Sequence, residues 1–138
     1  MPGNDTVVKS ARTFFPPEWI KSGITAGQLT GLPMAIVGVP LINAMPMPRK
    51  GSIVSVGIVM SGAVTAQFIR FIITKNGVET NKSTDMDAAA GAAKILEFDP
   101  GKLVFDKGDR IGVNWGSHPG LLPSGVIEAL IIFEVQFS

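Results

Sequence analysis

A chain of 138 residues with 46% hydrophobic and only 17% charged residues holds one domain, or one domain with an arm, and is too apolar to be disordered. Its net charge of +1, with no run of Lys or Arg, excludes an electrostatic nucleic-acid binder, and the absence of cysteine excludes disulfides, thiolate catalysis and thiolate zinc sites. A domain of this size buries only about two thirds of its unfolded surface, so the apolar surplus predicts subunit interfaces.

The first fifteen residues, "MPGNDTVVKSARTFF", lack the basic start and continuous apolar stretch of a signal peptide. The most apolar window, residues 31–48, carries Pro33, Pro40, Pro46 and Pro48, which argue against a spanning helix. The expectation is a protein made in the cytoplasm, with no membrane partner. Residues 1–47 hold most of the prolines and many apolar side chains, among them Phe14, Phe15, Trp19 and Ile20. Each proline pushes its predecessor into an extended conformation. The pattern predicts an extended arm that lies on another surface and is ordered by it, with Trp19 as an anchor. An arm folded over its own sandwich is the open alternative.

From Gly51 the apolar period becomes two, and residues 48–138 read as a β-sandwich. In "SIVSVGIVM", Val54, Val56, Ile58 and Met60 share a face. In "AQFIRFIITKNGVET", Ile69, Phe71 and Ile73 alternate with Phe68, Arg70 and Ile72, and Asn76-Gly77 signals a type I′ hairpin. Segment 83–94 is the one candidate for a helix, with Asp87 as N-cap, and reads equally well as a loop. Short segments "ILEFD", "KLVF" and "RIGVNW" follow, separated by turns. In the last run, Ile127, Ala129, Ile131, Phe133, Val135 and Phe137 face one way. The other face is apolar at Leu130 and Ile132, with Glu128 and Glu134 on either side. An ordinary sandwich strand has one wet face. Phe68, Ile72, Leu130 and Ile132 are therefore expected at a subunit interface. Regular short strands without helical crossovers give an all-β, jelly-roll-type sandwich.

Candidates for chemistry are few. His118 is the sole histidine, so neither a histidine metal pair nor a Ser-His-Asp set with a second base can form. Asp85 with Asp87, and Asp106 with Asp109, lack the further oxygen ligands that calcium needs. Glu128 and Glu134 lie about 20 Å apart along one strand, too far for a glycosidase pair. Lys107-Gly108-Asp109-Arg110 reads as a turn before a core strand. Trp115 shares its face with Ile111 and Val113 and belongs in the core. No catalytic residue, cofactor or metal is expected.

Four stretches, "PRKGSIVSVGIVMS", "AQFIRFIITKNGVET", "FDKGDRIGVNW" and "VIEALIIFEVQF", together resemble a recurrent phage-encoded jelly-roll domain. The chain is similar over residues 48–138 to the trimeric β-sandwiches of bacteriophage capsid decoration (cement or head-fibre) proteins. The shape is also similar to complement-C1q and tumour-necrosis-factor-like trimers. The resemblance implies a non-enzymatic virion structural protein, a homotrimer on the capsid exterior whose partner is the major capsid protein; the arm is then expected to bind that protein through Phe14, Phe15, Trp19 and Ile20. Residues 1–47 match no part of that pattern. The alternative is a receptor- or glycan-binding module of a head or tail fibre, which the absence of tyrosine disfavours.

Overall fold

The computed structural model describes the backbone of residues 12–138 and the side chains of residues 18–138. The described residues form β-strands and no helix: β1 (Arg12–Ile24), β2 (Leu32–Pro33), β3 (Ala35–Ile36), β4 (Ala44–Pro46), β5 (Gly51–Met60), β6 (Ile69–Lys75), β7 (Val78–Met86), β8 (Ala93–Glu97), β9 (Val104–Phe105), β10 (Arg110–Ser117) and β11 (Ile127–Phe137). One sheet runs β3-β1-β11-β5-β8, with β9 beside β8 on the same edge of β5. The other runs β2-β10-β6-β7, with β4 beside β2 on the same edge of β10. With β2 and β4 counted together and β3 and β9 set aside, the principal strands take the orders 1-8-3-6 and 2-7-4-5. All pairings are antiparallel, and the order is that of a jelly roll.

Alternation places the core as the sequence predicts along β6, β10 and β11. Ile69, Phe71 and Ile73, then Ile111, Val113 and Trp115, then Ile127, Ala129, Ile131, Phe133 and Val135 all join one buried cluster. The β6–β7 hairpin turns at Asn76 (φ 55°) and Gly77 (φ 79°), the left-handed pair a type I′ turn needs. In β5 the expected face holds only in part. A bulge pairs Glu134 with Ser55 and Val135 with Ile53, skipping Val54. Ile53 takes the inward place, and Val54 is buried outside the main cluster. Residues 83–94 are not a helix. They end β7, turn at Asp87, whose carboxylate accepts the Ala90 N–H at 3.0 Å, and begin β8.

The division into an arm (1–47) and a sandwich (48–138) is corrected for the described residues. β1 runs antiparallel along β11, and β3 adds to the far edge of β1. β2 and β4 pair with β10 in the opposite sheet. The segment therefore crosses between the sheets and closes one side of the sandwich. Trp19 is 0% exposed, its ring 4.9 Å from that of Phe133, and its Nε1–H donates to the Asn43 carbonyl at 2.9 Å. Ile24, Met34, Ile36 and Met47 join the same core. The prolines act as strand punctuation here. Phe15 pairs with Phe133 and Trp19 with Ile131, so β1 bulges across Pro16-Pro17, which cannot donate to a ladder. Pro33 and Pro46 sit in the short segments on the β10 edge.

Candidate functional site

The charged run 106–110 is a structural joint. Gly108 has φ +89°, and Asp109 serves as the clamp. Its Oδ2 accepts the Asp106 N–H at 2.8 Å and its Oδ1 accepts Asn76 Nδ2–H at 3.1 Å. The Arg110 N–H in turn donates to Asn76 Oδ1 at 2.9 Å. The turn before β10 is thus tied to the β6–β7 hairpin. The Asp106 backbone N–H, then the Asn76 amide, hold the Asp109 carboxyl below the usual aspartate range, and Lys75 lies 3.8 Å away.

The other residues singled out from the sequence are also occupied. His118 Nδ1 accepts the Gly120 N–H at 2.9 Å, and its ring stands edge-on to Phe68. Trp115 is buried in the core. Asp85 holds Arg70 through two bonds of 2.7 and 3.0 Å, which raise the Arg70 pKa. Glu128 Oε2 accepts Ser22 Oγ–H at 2.7 Å, and Glu134 Oε1 accepts Ser55 Oγ–H at 3.3 Å. Among the described residues no three His, Cys, Asp or Glu side chains converge as metal ligands.

What stands out is the outer face of the β3-β1-β11-β5-β8 sheet. Residues paired across antiparallel strands share a face, and the registers align Ala35, Ile20, Leu130, Val59 and Ala93 in one row across the sheet. The next row sets Ile132 beside Gly57 and Gly57 beside Ile95. Val59 is 49% and Ile95 71% exposed. At about 4.8 Å per strand the first row spans about 19 Å. Gly57 shapes the surface: a Cβ there would meet Ile132 Cγ2 at 3.2 Å. The bare backbone leaves a groove of about 170 Å³ between β5, β8 and β11, lined almost wholly by carbon. Glu128 lies beyond one side of these rows; Glu134 and Glu97, in register with Ser55, lie beyond the other.

The four residues expected at one interface separate into two places. Leu130 and Ile132 lie in the apolar rows. Phe68 and Ile72 lie on the outer face of the other sheet, lining a shallow groove of about 300 Å³ with Leu29, Arg70 and Glu79. There the Arg70 guanidinium sits 5.0 Å over the Phe68 ring. The expectation of a single patch is corrected, because alternation identifies a strand's outer face but not the sheet that carries it. Of the expected arm anchors, Trp19 is in the core and Ile20 is in the apolar row. Phe14 and Phe15 are in β1 by backbone, and their side chains lie outside the described residues.

Val59, Ala93 and Ile95 escaped the sequence reading. Val59 falls in phase with Ser55 and Gly57, a signal that was available. Ile95 in "AKILEF" looks like core until pairing with β5 shows Leu96 to be the inward residue.

No protein-family model matches this sequence, and no curated protein matches it.

Proposed function

We propose that the protein is a non-enzymatic structural component that works as a homotrimer on the outside of a phage head, bound to the major capsid protein. The observation that carries the assembly half of this reading is the apolar row from Ala35 to Ala93. It crosses every principal strand of one sheet and is flanked on two sides by glutamates. An apolar core with a charged rim is the composition of a subunit interface. Burying a fully exposed aliphatic side chain is worth about 1.5–3 kcal/mol, and each partly exposed residue of the row, such as Val59 and Ile95, would contribute a fraction of that to association.

The virion half rests on the resemblance of the four motif stretches to phage decoration domains. Those stretches supply β5, β6 with the start of β7, β10 and β11, the interior of the jelly roll. The buried tryptophans support this reading over a glycan-binding one, since a sugar platform needs an accessible ring. The test has two parts. Sedimentation equilibrium of the purified protein at micromolar concentration is expected to give a trimer. Co-sedimentation with heads lacking the protein is expected to saturate, with no comparable binding to host cells; binding to cells and not to heads would favour the fibre-module alternative.

A further inference from the structure

The apolar row has two unlike ends. At the β3 edge the chain leaves the sheet into a loop, residues 37–42, that projects apolar side chains. The loop is closed on itself: Ile36 N–H donates to the Ile42 carbonyl (2.9 Å), Val39 N–H to Ile36 (3.0 Å) and Ile42 N–H to Val39 (3.0 Å). Val37 N–H ties it to Glu18 of β1 at 2.9 Å. A backbone this constrained nevertheless holds Val37, Val39, Leu41 and Ile42 in solvent, with Leu41 95% exposed. No charged residue occurs between Lys21 and Arg49 to offset them. Toward the opposite edge, across β11, β5 and β8, the surface is hollow, with Val59, Ile95, Leu130 and Ile132 around the bare Gly57.

A projection at one edge and a groove of matching chemistry toward the other cannot satisfy each other within one chain. From β3, the groove floor at Gly57 lies three strand spacings away and its far wall at Ile95 four, about 14 and 19 Å. They can do so between copies. A twofold pair would set each patch against itself or trade both at once, whereas a ring needs two different, complementary patches on every subunit. We infer that the loop 37–42 of each copy, led by Leu41, inserts into the β5–β8–β11 groove of the next copy, head to tail around a closed ring. The occupant of the groove is therefore a second copy of this chain. The inference rests on the homotrimer proposed above and specifies its contact.

The chain has no cysteine, so introduced ones report without background. The double variant Leu41→Cys/Ile95→Cys changes two exposed side chains and leaves the core intact. Its cysteines cannot pair within a chain at that separation, because a disulfide requires Cα atoms within about 7 Å. Oxidation at micromolar protein is expected to give covalent trimers on a non-reducing gel, while either single variant stays uncoupled. A covalent dimer as the end product overturns the head-to-tail ring. An uncoupled double variant that still sediments as a trimer overturns the insertion and leaves the homotrimer standing. A wild-type protein that sediments as a monomer overturns both. Leu41→Asp adds a second readout: its circular dichroism should match wild type while trimer dissociation moves to at least tenfold higher concentration. An unchanged dissociation constant would also overturn the insertion.

Discussion

The Trp19 ring packs 4.9 Å from that of Phe133, tilted by 35°, joining the first described strand to the last. Both side chains are fully buried. The indole also reaches Asn43 through Nε1, so one residue secures β1, β11 and the loop before β4. Phe133→Ala and Trp19→Ala should each cost about 3–5 kcal/mol. Denaturant melts measure this. A loss below about 1 kcal/mol for Phe133→Ala would mean that the faces of β11 are reversed.

Removing residues 1–47 should abolish the fold. The deletion takes away β1 to β4, the core side chains Trp19, Ile24, Met34, Ile36 and Met47, and the strands covering the edges of β10 and β11. Bare edges of that kind pair with other chains. The truncated protein is expected to aggregate or to show no cooperative thermal transition. A monodisperse truncation product with native-like dispersion in its proton spectrum would contradict this.

Asp109 gives a pH-dependent term of defined sign. Its carboxyl is held below the ordinary value, chiefly by the Asp106 N–H and then by the Asn76 amide. A depressed carboxyl pKa contributes stability above the unfolded-state value, and the contribution is lost as pH falls through the folded-state value. Asp109→Asn should therefore be less stable than wild type near neutral pH, and the gap should close on acidification. Urea midpoints at neutral and acidic pH decide it; a gap that widens toward low pH refutes the assignment.

Much of the fold was legible because alternation is a local signal. The period-two runs gave the inward faces of β6, β10 and β11, and Asn76-Gly77 gave the hairpin register. What was illegible is non-local. The apolar residues of the 1–47 segment fit an intermolecular arm and an intramolecular strand equally well, since both bury Trp19 in a hydrophobic pocket. Only pairing with β11 distinguishes the two. The same holds for Phe68 and Ile72 against Leu130 and Ile132. Each pair sits on an outer face, but sheet membership depends on strand order, which no run of adjacent residues encodes. The bulge at Val54 is a smaller case: one extra residue reverses the phase from Ile53 backward without leaving a mark in the local pattern.

Leu130→Glu tests the proposed assembly surface most directly. Leu130 is half-buried at the middle of the apolar row, flanked in register by Ile20 and Val59, with Glu128 and Glu134 on the same strand face. A third carboxylate there would meet like charges, and at a closed interface it would be desolvated without a partner. Such an unpaired buried charge costs several kcal/mol. Because the side chain points away from the core, the subunit itself should stay folded, with an unchanged circular dichroism spectrum. Sedimentation velocity at micromolar concentration should then show a folded monomer. Ser83→Glu, next to Ile72 on the outer face of the other sheet, supplies the control: it adds the same charge to an exposed position and should leave the proposed trimer intact. If Leu130→Glu remains trimeric while Ser83→Glu dissociates, the association surface lies on the β2-β10-β6-β7 sheet, and the apolar row has another role.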